Sequence, residues 1–579
     1  MKLTISKSKN STSFYVQKSI RKNGVSTSIT IEKLGTETEL REKLNGADPY
    51  KWAKEYVAEL NRKEKEQTRE VIVRYSQSKQ IPVGERVLFN GGYLFLQQIY
   101  HELKLDKVCD KIEKNYKVTY SLNYVLSRLI YGRILYPASK RATLELSNKL
   151  IEPPLYALQH GYRALEIIAK EHELIQASLY KNSLQVYPRN TRVLFYDCTN
   201  FFFEIEEATG SKQYGVSKEF RPNPLVQMGL FMDASGIPLA MSIHPGNTNE
   251  QTTLRPLEKQ IIRDFELAQV VVCTDAGLAS TANRKFNNIN NRSFVTTQSV
   301  KNLKDYLRKW MFESAGWKLE GSKKTFNLDE IKRKMYEDGF PYMKATFYKE
   351  RWVNEDDLEQ RFIVTFSPKY AIYQERIRTK QVERAAKLIA SGDSKVKKKN
   401  QNDTRRFIAT DNCTASGEVA DQSIHYIDQA VIEKEALYDG FYAVCTNLED
   451  SVEEIVKINK GKWEIEESFR ILKNDFESRP VHLSRDDRIK AHFITCYIAL
   501  LVYRLLEKKL NEKFTAEEII YGLREMNFYK AKSEGYIPAY IRSELTDSLH
   551  DTFGFRTDYE IVSSKEMKRI LKLTKKSKK

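Results

Sequence analysis

Hydrophobic and polar positions follow a two-residue period at the start of the chain and a helical period after it. Between residues 14 and 35, polar and apolar residues alternate on either side of a Lys-Asn-Gly turn, which predicts a β-hairpin. The charged residues 50–75 are predicted to be helical. Residues 94–181 carry apolar side chains at helical spacing, interrupted by prolines at positions 137 and 153. The N-terminal part is therefore predicted to be a β-hairpin followed by a helical region.

The pattern changes at residue 192 to short apolar runs of the kind found in strands. The runs RVLFYDCTNFFFEI and PLVQMGLFMDASGIPLAMSIHPGN predict three strands, TTLRPLEKQIIRDF predicts a helix, and VVVCTDAGL predicts another strand. Residues 301–438 are charged and aromatic, contain the basic stretch SGDSKVKKKNQNDTRR, and are predicted to be an insertion with some strands of its own. GFYAVCTN then resumes a strand, and residues 452–476 are predicted to be helical. We therefore expect an α/β core that is split by an inserted segment.

These patterns divide the chain into six segments. They are an N-terminal hairpin and charged helix (1–85), a helical region (86–188), the first part of the core (189–300), the insertion (301–438), the second part of the core (439–510), and a C-terminal helical region with a basic tail (511–579). The helical region 86–188 suits either DNA binding or a scaffold bundle. Residues 565–579 hold eight basic residues and one acidic residue, which suits either a solvated terminus or an arm that follows phosphates.

Composition narrows the class of partner. The chain has 579 residues with 41% hydrophobic and 30% charged residues, a balance that excludes disordered and collagen-like chains. Lys and Arg number 95 against 77 Asp and Glu, and the net charge of +18 favours a polyanionic partner. The apolar stretch 493–503 is too short to cross a bilayer and the first residues have no apolar segment, so we expect nucleic acid as the partner and no membrane. The six cysteines never form C-x-x-C, which favours reduced thiols in the cytoplasm.

Two aspartates stand where apolar strands are predicted. Asp197 interrupts the run RVLFYDCTNFFF, where a carboxylate needs a metal, a cation or water beside it. Asp275 follows the strand VVVCT, at the carboxyl end where α/β sheets place functional groups. Either aspartate alone is typical of an ordinary strand end or turn. Two of them on neighbouring strands favour a shared site.

A third carboxylate lies on the predicted helix GKWEIEESFRILKNDF. Its core-facing stripe is predicted from apolar residues at helical spacing: Ile465, Phe469, Leu472 and Phe476. Beside that stripe lies a charged row: Lys462, Glu466, Arg470 and Lys473. The row suits either a solvent-exposed ladder of ion pairs or a catalytic carboxylate flanked by cations. Glu464 and Glu467 are the rival carboxylates, and Trp463 is predicted to pack in the core in preference to stacking on a displaced base.

The three acidic residues suit a hard divalent cation. Carboxylate oxygens without a His or Cys cluster favour Mg²⁺, with Mn²⁺ as a substitute. Two such ions about 4 Å apart activate a water or a 3′-hydroxyl and stabilise the leaving oxygen at phosphorus. Arg470 and Lys473 would then hold the DNA backbone. No G-x-x-x-x-G-K-[ST] motif indicates ATP hydrolysis.

These residues resemble the DDE transposases of bacterial insertion sequences, in the branch with the signature Y-x2-R-x3-E-x6-K. KWEIEESFRILK matches it with Glu466 as the glutamate and Lys473 as the lysine, and FYDCTNFFFE, GLFMDASGIPLAMSIHPGNTNEQTTL and TDAGL carry the remaining similarity. The chain departs from the signature at Lys462, where an arginine is usual, and at Asn459, where a tyrosine is usual. Lysine keeps the charge but loses the two-pronged hydrogen bonding of arginine. The resemblance covers most of residues 192–506.

The resemblance implies a fold and a site. The fold is a ribonuclease H-like catalytic core split by a mainly β insertion, within an α/β chain. The implied catalytic and metal-binding triad is Asp197, Asp275 and Glu466, and the implied DNA contacts are Lys462, Arg470 and Lys473. The family also implies a dimer on paired DNA ends.

The expected function is that of a Mg²⁺-dependent DNA transposase, located in the cytoplasm with the nucleoid. It would bind the terminal inverted repeats of its insertion sequence, cleave the ends and join the 3′-hydroxyls to target DNA. Two alternatives remain: a ribonuclease H-like DNA nuclease without strand transfer, and a catalytically silent DNA-binding protein. Analysis of the reaction products separates the three, because only a transposase leaves covalent joints.

Overall fold

The computed structural model describes most of the chain, in two compact units. The described residues are 1–8, 11–22, 25–44, 47–67, 71–73, 75–267, 269–289, 291–392, 402–413, 419–532 and 534–576. The first unit comprises Met1–Glu85 with Ala531–Glu534, and the second comprises Arg86–Lys530 with Gly535–Lys579. The predicted site residues all belong to the second unit.

The first unit is a small antiparallel sheet with two helices. Its elements are β1 (Lys2–Lys7), β2 (Thr12–Lys22), β3 (Val25–Thr36), α1 (Glu37–Lys43) and α2 (Pro49–Gln67). The predicted hairpin is confirmed as β2 and β3, and β1 adds a third strand beside β2. The tip of the predicted turn, residues 23–24, lies outside the described residues. The predicted helix is shorter than expected and ends at Gln67.

The second unit contains the remaining elements. Its strands are β4 (Leu88–Asn90), β5 (Val193–Phe202), β6 (Leu225–Asp233), β7 (Pro238–Pro245), β8 (Val270–Thr274), β9 (Arg292–Gln298), β10 (Trp317–Leu319), β11 (Thr325–Phe326), β12 (Phe347–Glu355), β13 (Leu358–Phe366), β14 (Ile408–Cys413), β15 (Val419–Ile427), β16 (Phe441–Thr446), β17 (Asn527–Ala531), β18 (Gly535–Pro538) and β19 (Val562–Ser563). Its helices are α3 (Tyr93–Glu102), α4 (Leu105–Glu113), α5 (Leu122–Leu135), α6 (Lys140–Ser147), α7 (Leu158–Lys170), α8 (His172–Val186), α9 (Glu250–Phe265), α10 (Thr281–Phe286), α11 (Asp305–Phe312), α12 (Leu328–Lys334), α13 (Pro368–Ala390), α14 (Gln429–Ala436), α15 (Val452–Lys460), α16 (Trp463–Arg470), α17 (Asp486–Lys509), α18 (Ala516–Glu525), α19 (Glu544–Phe553) and α20 (Ser564–Leu573).

A ten-stranded mixed sheet organises the second unit. Its strand order is β11-β10-β12-β13-β16-β9-β8-β5-β6-β7. β6 runs antiparallel to β5 and β7, whereas β8 runs parallel to β5 and β9 runs parallel to β8. The predicted α/β arrangement is therefore present, and the parallel pairing places the carboxyl end of β8 beside the middle of β5.

The inserted segment 301–438 differs from the mainly β insertion that was expected. Its strands β10 to β13 extend the same sheet beyond β16, and β14 and β15 form a separate pair. It also contains four helices among the described residues, including the 23-residue α13, which begins with a proline after the capping Ser367. The prediction was wrong because the charged sequence of α13 is rich in good helix formers such as Lys, Arg, Glu, Gln and Ala. Most of the basic stretch, residues 393–401, lies outside the described residues.

The helical region 86–188 shares a core with α17. Breaks between the helices fall at the predicted prolines, since α5 ends before Pro137 and α7 begins after Pro154. Helices α3, α5 and α7 pack against α17, whose central residues are fully buried on every side. By length and composition α17 could cross a membrane, but its apolar window is 94% buried inside the protein, as in the core helix of a globular domain.

The C-terminal region was predicted to be helical, but it also contains strands. Strands β17 to β19 form a four-stranded sheet with β4, in which Phe528 pairs with Phe89. The basic tail is helical as α20, with Met567 and Ile570 buried, so the tail is packed at least to Leu573. Lys578 and Lys579 lie outside the described residues.

A buried ion pair ties the first strands of the sheet to the helices before them. Arg189 follows α8, and its Nε lies 2.6 Å from Oδ2 of Asp233 at the end of β6, with both side chains fully buried. Arg189 also donates to the carbonyls of Ile237 and Pro238 at 3.0 and 2.9 Å, and Asp233 accepts the backbone N–H of Ile237 at 3.0 Å. With a further bond from Nη1 to Ser183 Oγ at 2.8 Å, all three guanidinium nitrogens of Arg189 are bonded, which favours the retention of a buried ion pair.

We expect Arg189→Met to destabilise the second unit by about 3 to 5 kcal/mol, because the substitution leaves Asp233 buried without its cation. The measurement is urea unfolding followed by circular dichroism. Arg192→Met is the matched control, since Arg192 pairs with Asp450 at 3.2 Å on the surface, and it should cost no more than about 1 kcal/mol. Equal losses in the two variants would contradict the prediction.

Candidate functional site

The pairing of β5 with β8 places the two predicted aspartates side by side. The parallel register pairs Tyr196 with Thr274, so the next positions along the two strands are Asp197 and Asp275. Adjacent strands lie roughly 4.8 Å apart, and residues opposite each other point to the same face. The two carboxylates therefore share one edge of the sheet, as the sequence predicted.

The electrostatics of Asp197 show that the two carboxylates affect each other. Burial, with a contribution from the negative charge of Asp275, raises the pKa of Asp197 to about 6, although nearby Lys218 opposes the shift. Asp197 Oδ1 accepts the backbone N–H of Cys198 at 2.7 Å, and Lys218 Nζ lies 4.0 Å from the same oxygen. Burial thus disfavours the ionised form of Asp197 more strongly than the nearby Lys218 favours it.

Lys218 and Glu250 belong to this site and were not predicted from the sequence. Lys218 Nζ lies 3.2 Å from Glu250 Oε1 and donates to the carbonyl of Cys198. Glu250 is the first residue of α9, whose N-cap Asn249 accepts the backbone N–H of Gln251 at 3.0 Å. The sequence signal was the turn HPGNTN, which indicates a helix start after β7, but the position of that start beside Asp197 depends on the sheet.

Asp275 is held by Lys462. The ammonium of Lys462 contacts the Asp275 carboxylate and donates to Thr297 Oγ1 at 2.6 Å. Burial alone would lower the pKa of Lys462, but the charge of Asp275 raises it above its usual range. Lys462 was predicted as a DNA contact, and in this structure it neutralises an aspartate.

The close approach of Lys462 to Asp275 depends on Gly461. The predicted helix 452–476 is interrupted here, because α15 ends at Lys460 and α16 begins at Trp463. A Cβ at position 461 would lie 2.5 Å from the ring of Phe195 on β5, so a larger residue would push the junction away from the sheet. Asn459, which stands where the signature has a tyrosine, donates to the hydroxyl of Tyr442 at 2.7 Å. A tyrosine hydroxyl is therefore present near that position, supplied by β16.

Glu466 lies one helical turn after Lys462 on α16, and residues four apart share a helix face. Its side chain is exposed and makes no hydrogen bond or ion pair with another described residue. The rival Glu464 lies 3.8 Å from Arg504, and the rival Glu467 lies 2.6 Å from Arg470. Among these three glutamates, Glu466 is thus the one without a partner among the described residues. It shares a helix face with Lys462, which contacts Asp275.

The other two predicted DNA contacts are also paired within the protein. Arg470 bonds Glu467 and lies 3.4 Å from Asp475. Lys473 lies on a π-helical turn, Ile471–Asp475, that follows α16, and its Nζ is 3.1 Å from Glu219 Oε1. Burial and the neighbouring Lys218 lower the pKa of Lys473 to about 8, while Asp197 opposes the shift. Lys473 therefore belongs to the surroundings of Asp197.

The core-facing stripe of α16 is confirmed, and the prediction for Trp463 is wrong. The four apolar residues of the stripe are all buried: Ile465, Phe469, Leu472 and Phe476. Trp463 is 58% exposed, because the interruption at Gly461 places it at the start of α16 on the side away from the stripe. An exposed tryptophan beside Lys462 leaves an aromatic face free at the edge of the site.

The site fits a divalent cation at two of its three predicted ligands. Two hard carboxylates lie side by side, and burial raises the pKa of Asp197, so a metal ion beside it would favour its ionised form. Among the described residues, no group of three or more His, Cys, Asp or Glu side chains is close enough to hold a metal ion. Glu466 therefore does not complete a ligand set with the aspartate pair in this structure.

Comparisons with known proteins find a matching family model and similar solved structures. The family model described as "Transposase DDE domain" matches residues 191–502, which is more than half of the chain. A solved structure similar to this chain is the cryo-EM structure of the piggyBac transposase synaptic complex with hairpin DNA, at 7% sequence identity and a TM-score of 0.36, over 82% of this chain and 86% of that chain. No curated protein matches the chain.

We expect Asp197→Asn to stabilise the protein at pH 7 to 8 in EDTA. In the folded protein the carboxyl pKa is raised from 3.8 to about 6, so folding binds protons between these values and stability falls as pH rises through them. The asparagine variant lacks this loss, which amounts to roughly 2 to 3 kcal/mol above pH 6, and its advantage should vanish towards pH 4. Urea unfolding at pH 4, 5, 6 and 7.5 measures it. Asp305→Asn, on an exposed side chain, is the control and should change stability by less than about 0.5 kcal/mol.

Proposed function

The chain belongs to the family of transposase DDE domains, and we propose on that premise that it is the DNA transposase of an insertion sequence. It binds the terminal inverted repeats of its element, cleaves the ends and joins the freed 3′-hydroxyls to target DNA. The observation that carries this proposal is the side-by-side position of Asp197 and Asp275 on two parallel strands within the matched region. A pair of carboxylates at a strand edge, flanked by basic side chains, suits phosphoryl transfer on a polyanion.

We infer that the core is ribonuclease H-like. The support is the strand arrangement, in which the antiparallel β5, β6 and β7 are followed by β8 and β9, both parallel to β5. The segment between Asp275 and Glu466 then extends the β9 side of the sheet through β16. In such a core, a carboxylate from β5, one from the end of β8 and one from a helix would act at the same edge.

The proposed cofactor is Mg²⁺, with Mn²⁺ as a substitute, and the family normally uses a divalent metal. Asp197 and Asp275 would hold it, together with Glu466. A pair of bound ions would supply activation of the attacking water or 3′-hydroxyl and stabilisation of the leaving oxygen. The chain's own cations then change partners: Lys218 and Lys462, which neutralise the two aspartates in this structure, become available to the DNA backbone.

The proposed partners are the element ends and the target, both double-stranded DNA. The net charge of +18 supports a polyanionic partner. We retain Lys462, Arg470 and Lys473 as proposed DNA contacts, each of which exchanges a carboxylate of the protein for a phosphate. A dimer on paired ends, DNA binding by residues 86–188 and a location with the nucleoid in the cytoplasm are part of the same proposal.

Metal binding has a readout that does not require activity. We expect Mg²⁺ to raise the melting temperature of the protein, since a ligand at ten times its dissociation constant stabilises by about 1.4 kcal/mol. The gain should disappear in Asp197→Asn and Asp275→Asn and shrink in Glu466→Gln, while Asp305→Asn keeps it. Scanning calorimetry at constant ionic strength, with and without EDTA, is the measurement. A gain that survives in Asp197→Asn would place the metal elsewhere.

The activity test uses a labelled duplex with the element's own ends and a supercoiled target. We expect Asp197→Ala, Asp275→Ala and Glu466→Gln to lower cleavage and joining by at least about two orders of magnitude while end binding is kept. Glu467→Gln is the control on the same helix and should stay active. Full activity in any of the three variants would remove that residue from the site.

The products of the same assay separate the alternatives. Joined products that need Mg²⁺ support the transposase. Cleavage without joining would favour a nuclease, and binding without cleavage would favour a silent DNA-binding protein.

A further inference from the structure

A cavity in the second unit has several basic side chains in its lining. It lies where the end of α5, the start of α6 and the loop before α17 meet, and its basic residues are Arg133, Lys140, Arg479 and His482. We call this set the cation pocket. The sequence separation between its two halves exceeds three hundred residues, so no local pattern indicates it.

Arg133 brings a buried charge to the cation pocket. Its side chain is 4% exposed, and its guanidinium donates to the backbone carbonyls of Phe476 and Ala138 at 3.0 and 3.2 Å. These carbonyls orient the group, while its buried Nε has no hydrogen-bond partner among the described residues. No carboxylate among the described residues pairs with it, so its positive charge is not neutralised.

Lys140 brings a second charge that lacks a partner. It is the first residue of α6, after the N-cap Ser139, so the positive end of the helix dipole adds to its charge. Lys140 is partly buried and makes no hydrogen bond or ion pair with another described residue. Burial and the neighbouring Arg133 lower the pKa of its ammonium to about 7. A lysine held in this way costs stability, which is typical of a residue kept for a ligand.

One carboxylate, that of Glu219, links the cation pocket to the surroundings of Asp197. Arg479 contacts one oxygen of Glu219, and the other oxygen lies 3.1 Å from Lys473 Nζ, beside Asp197. Glu477 is the acidic residue of the lining; its side chain is exposed, and its carbonyl accepts from Arg133 at 3.3 Å. Burial keeps the pKa of His492, at the floor of the pocket, well below its usual range, so this histidine adds no charge.

We propose that the cation pocket binds a backbone phosphate of the DNA strand that passes through the aspartate site. The inference rests on the proposed function only in that the chain acts on DNA. Arg133 and Lys140 supply unneutralised charge, Ser139 and the start of α6 supply hydrogen-bond donors, and Arg479 links the pocket to the site through Glu219. Arginine, lysine and a helix start are the groups that proteins use for phosphates.

The first experiment measures DNA affinity in EDTA, where no cleavage occurs. Fluorescence anisotropy of a labelled duplex with an element end, titrated at several salt concentrations, compares the wild type with Lys140→Gln. We expect Lys140→Gln to bind about five- to tenfold more weakly, with a salt dependence reduced by about one counterion. Lys170→Gln, on an exposed lysine at the end of α7, is the matched control and should behave as the wild type. Affinity and salt dependence unchanged in Lys140→Gln would overturn the proposal.

A second experiment identifies the phosphate. Duplexes that carry a single neutral methylphosphonate at successive positions should weaken wild-type binding at one position, and Lys140→Gln should be insensitive at that same position. Inorganic phosphate is the competing probe. If phosphate raises the melting temperature of the wild type but not of Lys140→Gln, while every methylphosphonate affects both proteins equally, the pocket is a site for a free anion and the DNA assignment is wrong.

Folding and function are tested separately. The melting temperature of Lys140→Gln should equal or exceed that of the wild type, because the substitution removes a partly buried cation without a partner. If it falls instead, His482→Gln tests the same pocket at a second position and is expected to weaken DNA binding at the same phosphate. If DNA binding depends on Lys140 but the protein never cleaves DNA, only the proposed function is contradicted. If the protein cleaves and joins DNA but its DNA affinity does not depend on Lys140, only the proposal for the cation pocket is contradicted.

Discussion

Two like charges held side by side determine the chemistry of this molecule. The register of β8 beside β5 places Asp197 and Asp275 at the same level of the sheet, and a partly buried pair of carboxylates is stable only if cations lie close by. The surrounding elements provide them: Lys218 from the loop before β6, Lys462 from the start of α16 and Lys473 from the turn after it. Burial, the main cause of the raised pKa of Asp197, disfavours its ionised form despite these cations. The site is therefore ready for a further cation, which is what a divalent metal would supply.

Packing keeps these groups in place. The apolar stripe of α16 is buried in the same core as α17, and α17 in turn packs against α3, α5, α7 and β7. The helical region 86–188 is thus part of the support of the site. Gly461 lets the start of α16 approach Phe195 on β5, and this contact brings Lys462 to Asp275. A rigid core beneath a polar edge allows charged side chains to be held in an arrangement that is unfavourable by itself.

The same reasoning connects the aspartate site with the cation pocket. At one edge of the sheet Asp197 is buried beside Asp275. The neighbouring pocket carries Arg133 and Lys140, neither of which pairs with a carboxylate among the described residues. Glu219, between Lys473 and Arg479, joins the two. Along a DNA strand with bound divalent ions, positive metal ions lie at the scissile phosphate, and a negatively charged phosphate without metal lies further along. The metal ions would face the carboxylates of the site, and the second phosphate would face the cation pocket. Each group held against its electrostatic preference costs stability in the free protein and contributes to binding in the complex.

The sequence by itself determined the local elements and the type of chemistry. Alternation predicted the hairpin of β2 and β3, apolar runs predicted β5 and β8 with an aspartate at each, and helical spacing predicted the buried stripe of α16, because these signals depend on neighbours within about ten residues. Tertiary structure alone decided which charges meet. Lys218 and Glu250 beside Asp197, Lys462 on Asp275, the exposure of Trp463 and the convergence of Lys140 with Arg479 all depend on strand order and on helix junctions. The helices of segment 301–438 were missed for a related reason, since charge-rich helices carry little of the apolar periodicity on which the prediction relied. Partners far apart in the chain are chosen by packing, and no local pattern encodes that choice.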